Sequence, residues 1–523
     1  MEEIAQPDAF LNYGRVLRLS AMRYHDHPAL EFEGEATSYV LLNEQVNAMA
    51  NALAARGVTS GDRVILCAPN GPDYVRVMFA LAKLGAIAVP TNTGLLGEDL
   101  AHVLQATSPR LVAAAPQYLA RVRDALSLAE RDGSVEVVRI LPDSANAGQA
   151  LEPDTLSIAG FCTDEPPEPT MADSETAILL FTSGSMGTPK AVAKSYRNLT
   201  WHAINRQLSQ PRHEGDRELF VLPLSGVGFG NFLLTDLMVG GTCVLEPRFD
   251  AHRTAHLLAE GDIRVAFLAP TMLMAVDAAV PGASYPSVAV LETAYEITPA
   301  QRQRISAMFP SAQIHYSYGC TEGSMARASG DAFLGDPTNV GYASGLDEYR
   351  APAEAAGLGE IEVSGPSVMQ GYLRAPGAID ASDVRGGWFA TGDLGYQDAN
   401  GAVHFGGRVK DMIKTGGLNV FAADVEAALA EHRSVSRVAV IGVPDEYWGE
   451  AVVAVVEFAS NVEVSEGELR THAKETLAGF KRPKTYLTVD HLPLNPGGKL
   501  AKGEIRSMIE TGGARPLQSS REP

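Results

Sequence analysis

Residues 178–190 read Ile-Leu-Leu-Phe-Thr-Ser-Gly-Ser-Met-Gly-Thr-Pro-Lys, an apolar strand that runs into a loop of hydroxyl residues and glycines closed by Lys190. Glycines let the backbone curl until successive N–H groups converge on an anion, while the hydroxyls add donors and the lysine adds charge. The loop is not a Walker A motif, because Thr188 and Pro189 separate Gly187 from Lys190. By itself the stretch fits a phosphate-binding loop and a flexible surface turn equally well.

Helical and strand patterns alternate upstream of this stretch. Apolar residues recur at helical spacing over 39–53, an apolar run over 63–68 predicts a buried strand, and a helix over 74–81 and a strand over 85–90 follow. Strand–helix–strand alternation is typical of a sheet with parallel strands covered by helices. The sequence therefore predicts an α/β fold, and the same pattern continues from residue 176 to about residue 300.

The length of 523 residues predicts more than one domain. Residues 132–174 are rich in Pro, Asp, Glu, Ser and Gly and are predicted to form a surface connection, and short strands and turns occupy about 340–405. We expect a large, multi-subdomain N-terminal α/β domain over residues 1–407 and a smaller α+β C-terminal domain over residues 408–510. Residues 511–523 lack a core pattern and are predicted to be a disordered tail.

The charge and cysteine content exclude some partners and sites. Lysine and arginine number 42 against 63 acidic residues, and the formal net charge of −21 repels a phosphate backbone, so a nucleic-acid partner is not expected. The four cysteines are scattered without CxxC spacing, which argues against a disulfide framework or a zinc site. No stretch approaches the roughly eighteen apolar residues of a membrane span, and the acidic N-terminus lacks a secretory pattern. We expect a cytoplasmic protein.

Two further segments place polar groups after apolar strands. Tyr318, Thr321 and Glu322 fall within five residues, so that an aromatic ring could stack on a base and a carboxylate could hold a divalent cation. A strand end with a solvated glutamate is the alternative, and it is favoured when this motif is taken alone. Asp393 lies between two glycine turns and could accept hydrogen bonds from a ribose diol, or could cap its own turn.

Two segments nearer the C-terminus complete the set. The charged residues and glycines over 406–420 predict a hinge at a domain boundary, although such runs are more often ordinary solvated linkers. Lys499 lies on a turn in the run 492–500, Leu-Pro-Leu-Asn-Pro-Gly-Gly-Lys-Leu, where a lone lysine is ordinarily a surface charge. All five segments occur in order along one chain, and this combination favours the functional interpretation of each segment over the alternatives given above.

In that order and spacing, the five segments resemble those of the acyl-adenylate-forming superfamily, which includes acyl- and aryl-CoA synthetases, nonribosomal adenylation domains and luciferases. The resemblance covers the chain from the Gly-Asp-Arg-Val run at 61–64 to Lys499. It implies a ligase that adenylates a carboxylic acid with ATP and Mg²⁺ and then transfers the acyl group to a thiol. It also implies that the smaller C-terminal domain is mobile.

The resemblance assigns a role to each motif position that matches. Thr321 is implied to contact the α-phosphate, Glu322 to bind Mg²⁺, and Lys499 to bridge the substrate carboxylate and the α-phosphate during adenylation. The loop closed by Lys190 would hold the β- and γ-phosphates, Tyr318 would pack on adenine, and other positions would hold the ribose. The positions implied to bind ATP are Thr182, Ser183, Gly184, Ser185, Gly187, Thr188, Lys190, Ala294, Tyr295, Glu296, Tyr318, Gly319, Asp393 and Arg408.

The acceptor and the domain motion follow from the same resemblance. Lys410 occupies the hinge position about which the C-terminal domain would rotate after adenylation, and Gly416 and Gly417 would then line a tunnel for a pantetheine arm. Residues 440–450 and 480–484 are similar to those of CoA ligases, so CoA is the expected acceptor. A carrier-protein pantetheine or an amine is the alternative acceptor. A non-catalytic nucleotide sensor ranks third, because the implied catalytic groups are all present.

Departures from the family pattern fall at positions that shape the acid pocket. Ser225-Gly226 stands where the family usually has a Phe-His pair that gates this pocket, and residues 293–296 replace Gly-Gly-Ala-Pro. Small residues in place of a bulky pair predict a bulky or unusual aryl, cyclic or acyl acid of specialised metabolism. The identity of the acid and the oligomeric state, a homodimer included, stay open. The residues expected to line the acyl pocket are Ser225, Gly226, Phe229, Thr293 and Ser317.

Overall fold

Three β-sheets organise the protein, for which a computed structural model describes residues 11–95, 97–131, 133–140, 154–167, 169, 172, 174–182, 189–294, 297, 299–336, 338–375, 377–459, 464–494 and 500–517. Two large sheets and their covering helices are built from residues up to Arg408, and a third, smaller sheet begins at Met412. No helix in the described ranges is both long and apolar enough to cross a membrane.

The helices lie mostly between successive strands. A π-helical segment, Leu224–Leu233, precedes α7. The helices are α1 (Tyr13–Tyr24), α2 (Tyr39–Ala55), α3 (Pro72–Leu84), α4 (Gly97–Thr107), α5 (Leu119–Leu128), α6 (Tyr196–Ser209), α7 (Leu234–Val239), α8 (Ala251–Glu260), α9 (Pro270–Ala279), α10 (Pro299–Met308), α11 (Asp331–Gly335), α12 (Ala422–Ala430), α13 (Glu466–Thr476) and α14 (Lys502–Glu510).

The strands alternate with these helices in the first half of the chain, and from β14 to β25 only α11 interrupts them among the α-helices of the described ranges. They are β1 (Pro28–Phe32), β2 (Glu35–Ser38), β3 (Arg63–Cys67), β4 (Ile87–Pro90), β5 (Leu111–Ala114), β6 (Glu136–Ile140), β7 (Thr155–Leu156), β8 (Thr176–Thr182), β9 (Lys190–Ser195), β10 (Arg217–Phe220), β11 (Thr242–Leu245), β12 (Val265–Phe267), β13 (Val290–Ala294), β14 (Gln313–Gly319), β15 (Met325–Ser329), β16 (Asn339–Ala343), β17 (Glu348–Arg350), β18 (Gly359–Ser364), β19 (Gly371–Ala375), β20 (Ala378–Asp380), β21 (Val384–Arg385), β22 (Trp388–Gln397), β23 (Val403–Arg408), β24 (Met412–Thr415), β25 (Leu418–Phe421), β26 (Val435–Asp445), β27 (Gly449–Phe458), β28 (Thr485–Thr488) and β29 (Arg515–Pro516).

The predicted α/β elements of the first hundred residues are confirmed. The helix expected over 39–53 is α2, the strand expected over 63–68 is β3, and the next helix and strand are α3 and β4. Ser38 caps α2 by accepting a hydrogen bond from the Leu41 backbone, and Gly85 ends α3 in the left-handed conformation that glycine adopts without strain. Apolar periodicity and caps therefore determine these boundaries locally.

The nine-stranded sheet runs in the order β20-β19-β9-β8-β4-β3-β5-β6-β7 and contains the predicted parallel strands. Its β6 and β7 lie within residues 132–174, which were predicted to form only a surface connection. Both are short strands that extend the parallel edge beyond β5. A short edge strand carries a weak sequence signal, because few residues alternate between the core and the solvent.

The fourteen-stranded sheet is parallel in its first part and antiparallel in its second. Strands β1, β11, β10, β12, β13 and β14 pair in parallel, and β15, β16, β23, β22, β18 and β17 extend the sheet with antiparallel pairs. The change occurs at β14, whose C-terminal end carries Tyr318 and Gly319. Residues that lie far apart in sequence therefore meet beside the end of β14.

A buried group of opposite charges lies beneath β13. Arg206 of α6 donates to Glu218 at 2.8 Å, and the Nε atoms of Arg206 and Arg327 each lie 3.4 Å from Glu292 Oε1. Arg212 adds a second contact to Glu218 at 3.1 Å. Burial opposes ionisation of Glu292, but the surrounding arginines prevail and lower the pKa of its carboxyl to about 2. The cluster anchors the strand that carries Thr293 and Ala294.

The third sheet and its helices form the C-terminal region. The order is β25-β24-β27-β28-β29, with β26 paired to β27, and two apolar clusters drawn only from residues 413–517 pack against its two faces. The mixed α/β fold with a smaller C-terminal unit is thus confirmed. The disordered tail predicted from residue 511 is wrong for 511–517, because β29 pairs with β28 and Leu517 joins the core. Residues 518–523 lie outside the described ranges.

Candidate active site

Three strands bring Tyr318, Asp393 and Arg408 together. The Tyr318 hydroxyl donates to Asp393 Oδ2 at 2.8 Å, and Arg408 Nε lies 2.9 Å from Asp393 Oδ1. Asp393 and Arg408 are opposite each other in the antiparallel pair β22–β23. Asp393 is almost wholly buried, whereas the Arg408 side chain reaches the surface. A carboxylate held at both oxygens in one orientation is suited to accept hydrogen bonds from a vicinal diol.

The ring of Tyr318 stands in an aromatic corner. The ring centroids of Tyr349 and Phe405 each lie 5.8 Å from that of Tyr318, and the Tyr349 hydroxyl donates to the Ser324 carbonyl. Burial, with the Asp393 charge adding to it, raises the pKa of Tyr318 well above its ordinary value. The phenol therefore stays protonated and acts as a donor to Asp393. A planar aromatic base can pack in such a corner.

Gly319 is required by packing. A Cβ atom at this position would lie 2.5 Å from the Ser324 carbonyl oxygen, which is closer than two such atoms can approach. Gly319 is the last residue of β14 and is opposite Met325 of β15, and Thr321 and Glu322 lie in the short loop between these strands. Neither a base nor a phosphate is needed to explain this glycine.

Glu322 contacts Tyr372 of the other large sheet, and Lys190 lies against the ring of that tyrosine. The Tyr372 hydroxyl of β19 donates to Glu322 Oε1 at 2.8 Å, and Lys190 Nζ of β9 lies 4.9 Å from the centre of the Tyr372 ring. Strands β9 and β19 are neighbours in the nine-stranded sheet. The sequence analysis predicted Lys190 and Glu322 but missed Tyr372, because a tyrosine after a glycine is too common to mark a site.

Glu322 is also the residue that fits a magnesium ion. Tyr372 donates to Oε1, and Oε2 is the second carboxylate oxygen that could bind a cation. No group of three or more His, Cys, Asp or Glu in the described ranges is arranged to hold a metal ion by itself. A single carboxylate is the protein ligand set of Mg²⁺ when phosphate oxygens and water complete its octahedron, and it does not suit zinc.

The phosphate-loop stretch closes a β-hairpin. Thr182 ends β8 and is opposite Lys190, which begins β9, and the Thr182 hydroxyl donates to the Lys190 carbonyl at 3.4 Å. The stretch therefore joins two antiparallel strands, unlike a Walker A loop, which leads from a strand into a helix. Eight predicted ATP-site or catalytic residues fall outside the described ranges and receive no structural account. These are Ser183, Gly184, Ser185, Gly187, Thr188, Tyr295, Glu296 and Lys499.

Neighbouring ends of β13 and β14 carry two unpaired hydroxyls. Thr293 and Ser317 are buried, and neither hydroxyl has a hydrogen-bond partner among the described residues. Ala294 is opposite Ser317 in the parallel pair. Buried hydroxyls without partners are uncommon, and they provide donors and acceptors at the carboxyl edge of this sheet.

A small cavity lies between β9, α6, the π-helical segment and the loop that follows β14. Its volume is about 10 Å³, and Gly226 and Thr321 are among the predicted site residues that line it. Phe229, predicted to line the acyl pocket, is instead fully buried between Tyr13 and Phe79, with ring centroids 5.4 Å from each. The Phe229 ring therefore packs in the core beside α1 and α3, and its place in the acyl pocket stays a prediction. Ser225 and the Thr293–Ser317 pair lie outside this cavity's lining.

The predicted hinge lies at the start of the C-terminal region. Lys410 is exposed in a single 3₁₀ turn, Val409–Asp411, between β23 and β24. Lys502 of α14 contacts Glu426 at 2.9 Å and Asp411 at 3.7 Å, which ties the residue after Lys410 to the C-terminal helices. Lys410 therefore lies between the last strand of the larger sheet and the first strand of the C-terminal sheet.

Gly416 and Gly417 form the two-residue turn of the hairpin β24–β25. Their φ angles of +57° and +77° are both positive, as a type I′ turn requires, and glycine adopts them without strain. The Gly416 N–H donates to the Trp448 carbonyl at 2.7 Å. Gly416 and Trp448 line a cavity of about 260 Å³, together with Phe480 and Lys484. Lys484 Nζ stands 4.5 Å from the centre of the Trp448 ring.

Comparisons with known proteins agree with this arrangement. The family described as AMP-binding enzyme matches residues 17–373, and the AMP-binding enzyme C-terminal domain matches residues 424–499. Feruloyl-CoA synthase of an Amycolatopsis species is 33% identical over 497 residues, which cover 91% of this chain and 95% of that protein. Indoleacetate–CoA ligase of Aromatoleum aromaticum is 31% identical over 499 residues, 92% of this chain and 95% of that protein.

A solved structure extends the similarity to the whole fold. The o-succinylbenzoate CoA synthetase of Bacillus subtilis, in complex with its acyl-adenylate intermediate, superposes with a TM-score of 0.81 at 25% identity. The alignment covers 96% of this chain and 98% of that chain. The similarity therefore includes both large sheets and the C-terminal region.

Proposed function

This chain belongs to the AMP-binding enzyme family, and from that premise we propose that it converts an aryl or other bulky carboxylic acid into its CoA thioester by way of an acyl-adenylate. AMP-forming acid–CoA ligases use ATP, Mg²⁺ and CoA, and the relatives that it resembles are named for feruloyl and indoleacetate substrates. The observation that carries the proposal is the convergence of Tyr318, Asp393 and Arg408 beside the loop that bears Glu322.

The nucleoside of ATP would bind at the aromatic corner. Asp393 would accept hydrogen bonds from the ribose hydroxyls, with Arg408 and the Tyr318 hydroxyl holding its carboxylate in place. The Tyr318 ring would pack on adenine. Lys190, at the end of the hairpin loop, would neutralise the β- and γ-phosphates. Positioning by side chains that are already oriented lowers the entropic cost of bringing the two substrates together.

The first step is the attack of the substrate carboxylate on the α-phosphorus with loss of pyrophosphate. Two anions must approach each other, so the barrier is lowered mainly by positive charge at the reacting oxygens. Lys499 would bridge the carboxylate and the α-phosphate, and Thr321 would donate to the α-phosphate. Mg²⁺, held by Glu322, would supply further charge neutralisation on the phosphates. No protein nucleophile is required.

The second step transfers the acyl group from AMP to the thiol of CoA. We propose that the C-terminal region rotates about Lys410, which withdraws Lys499 and brings Gly416 and Gly417 toward the adenylate. The cavity beside Gly416 supports CoA as the acceptor. Its Trp448 and Phe480 side chains are each more than a third exposed and would stack on a base, and Lys484 would contact a phosphate.

The test is carboxylate-dependent ATP–pyrophosphate exchange with a panel of aryl, cyclic and aliphatic acids, repeated with CoA and mass analysis of the product. Exchange with aryl or cyclic acids and an acyl-CoA mass is the expected result. Exchange without any acyl-CoA would replace CoA with a carrier-protein pantetheine or an amine. The absence of exchange with every acid, in protein that binds ATP by calorimetry, would favour the nucleotide sensor.

A further inference from the structure

The backbone around Glu322 is held by residues that the five sequence motifs do not include. The Met369 N–H donates to the Glu322 carbonyl at 2.7 Å. The buried ammonium group of Lys194 donates to the Gly323 carbonyl at 3.0 Å and to the Ser367 carbonyl at 2.8 Å. The loop that carries Glu322 is therefore tied to β9 and to the segment that precedes β19, and the torsions of the Glu322 side chain remain to be set.

Tyr372 contacts the carboxylate of Glu322 itself. Its hydroxyl donates to Glu322 Oε1 at 2.8 Å, and the tyrosine is buried. Gly371 determines where this tyrosine lies, because its φ is +149° and a Cβ atom there would lie 2.2 Å from the carbonyl oxygen of Asp380 in β20. The backbone of β19 therefore brings a hydrogen-bond donor to one oxygen of the carboxylate.

The ring of the same tyrosine contacts the lysine that closes the predicted phosphate loop. Lys190 Nζ lies 4.9 Å from the centre of the Tyr372 ring, which is within the range of a cation–π contact. Lys190 and Glu322 carry opposite charges, yet no ion pair joins them, and neither pairs with any other charged residue that the structure describes. One neutral side chain therefore contacts both charges while they stay unpaired with each other.

An ion pair between these two residues would work against nucleotide binding. An ammonium group and a carboxylate within reach attract each other strongly at a partly buried site. A pair between Lys190 and Glu322 would occupy the cation that the phosphates need and the oxygens that Mg²⁺ needs. Arg374 lies 5.4 Å from the centre of the same ring, but it pairs with Asp380 and Asp383 instead.

A purely structural role for Tyr372 is the competing explanation. The ring belongs to the apolar core of the large sheets, and a buried hydroxyl needs an acceptor. A structural role does not explain why that acceptor is a carboxylate in the loop between β14 and β15. The buried hydroxyls of Tyr39 and Tyr349 donate to backbone carbonyls instead.

We propose that Tyr372 is a positioning residue for the nucleotide site. Its hydroxyl holds the Glu322 carboxylate available for Mg²⁺, and its ring keeps Lys190 available for the phosphates of ATP. Tyr372 acts through these two residues and does not contact the reacting atoms. This inference rests on the proposed ligase function and adds to it a residue from outside the five motifs.

The experiment measures the dissociation constant of ATP by calorimetry on the full-length protein without any acid, in excess Mg²⁺ and in EDTA. The ratio of the two constants is the gain in affinity that the metal provides. Tyr372→Phe removes only the hydroxyl and is expected to lower this gain about 10-fold without changing the affinity in EDTA, because the carboxylate loses a charge-assisted hydrogen bond. Tyr39→Phe is the matched control, since it removes a buried hydroxyl that donates to the Gly241 carbonyl, and its gain should equal that of the wild type.

A second variant tests the role of the ring. Tyr372→Leu removes the ring as well as the hydroxyl, so that Lys190 can pair with Glu322, and the affinity for ATP in EDTA is expected to fall about 5-fold. Adding Glu322→Gln removes the charged partner and is expected to restore that affinity, a rescue that a structural role does not produce. If Tyr372→Leu does not fold, Tyr372→Met fills more of the space and takes its place.

A metal-dependent gain in Tyr372→Phe equal to that of the wild type would overturn the inference, as would equal losses of affinity in Mg²⁺ and in EDTA. The absence of any gain in the wild-type protein would also overturn it. Failure of Glu322→Gln to restore the affinity in EDTA would remove the role of the ring. Failure of every acid to be adenylated would overturn the proposed ligase function separately, because ATP binding is measured without an acid.

Discussion

The Tyr318 hydroxyl donates a 2.8 Å hydrogen bond to Asp393 Oδ2, which joins the end of β14 to β22 across 75 residues of sequence. Arg408 holds the other carboxylate oxygen from the neighbouring strand β23. The contact creates a pre-oriented acceptor beside an aromatic ring before any ligand is present. The proposed nucleotide site is therefore built by the antiparallel extension of the larger sheet.

Asp393→Asn is expected to raise the KM for ATP about 10- to 100-fold, because hydrogen bonds to a charged group contribute about 1.5–3 kcal/mol. Tyr318→Phe keeps the ring and removes only the donor, and Arg408 still orients the carboxylate, so a smaller increase of up to about 10-fold is expected. The measurement is initial-rate kinetics with ATP varied at saturating acid. Unchanged KM values in both variants would remove Asp393 from the ribose site.

Lys499→Ala is expected to abolish adenylation while leaving thioester formation from a supplied acyl-adenylate largely intact. The lysine neutralises charge only in the first step, and the proposed rotation withdraws it before the second. The two half-reactions are measured separately, by pyrophosphate exchange and by release of AMP with CoA. Equal loss in both would show that the role assigned to Lys499 is wrong.

Lys410→Pro is expected to slow thioester formation about 100-fold or more with a smaller effect on adenylation, because proline fixes φ where the backbone must rotate. Lys410→Ala is the matched control, since it removes the charge and keeps the backbone rotation free. Rapid-quench measurements of both half-reactions distinguish the two variants. Normal rates for both half-reactions in Lys410→Pro would exclude rotation at this residue.

Glu292→Gln is expected to lower the free energy of unfolding by about 3–5 kcal/mol at neutral pH, because it removes the buried negative charge that Arg206 and Arg327 contact. The folded pKa near 2 lies below the ordinary value of 4.5. The carboxylate therefore stabilises the fold fully above about pH 4.5, and this contribution is lost as the pH falls toward 2.

Urea unfolding at pH 7 and at pH 3.5 is the measurement, and the difference between the wild-type protein and Glu292→Gln should shrink at the lower pH. Glu362→Gln is the control, since Glu362 pairs with Arg350 at a solvent-exposed site and its loss should cost no more than about 1 kcal/mol. Similar losses in the two variants would mean that burial does not strengthen the cluster around Glu292.

Much of the fold was predictable because its signals are local. Apolar periodicity and end residues predicted α2, β3, α3 and β4, and the spacing of five motifs predicted the family. Local signals failed where a short strand joins a sheet edge, as in β6, β7 and β29. They also did not indicate that Phe229 packs against Tyr13 in the core, because a motif position does not tell which face of a segment a side chain occupies.

The sequence by itself determined the family, since the order of the motifs that contain Lys190, Glu322 and Asp393 is a family signature. Only the tertiary structure decided which groups meet. Tyr372 donates a hydrogen bond to Glu322 from another sheet, and Lys194 of β9 contacts His202 of α6 in the core. The physical reason is that the order of residues along the chain determines covalent neighbours and the periodicity of helices and strands. Contacts between sheets, and the burial that shifts the pKa of a side chain, exist only after the chain has packed.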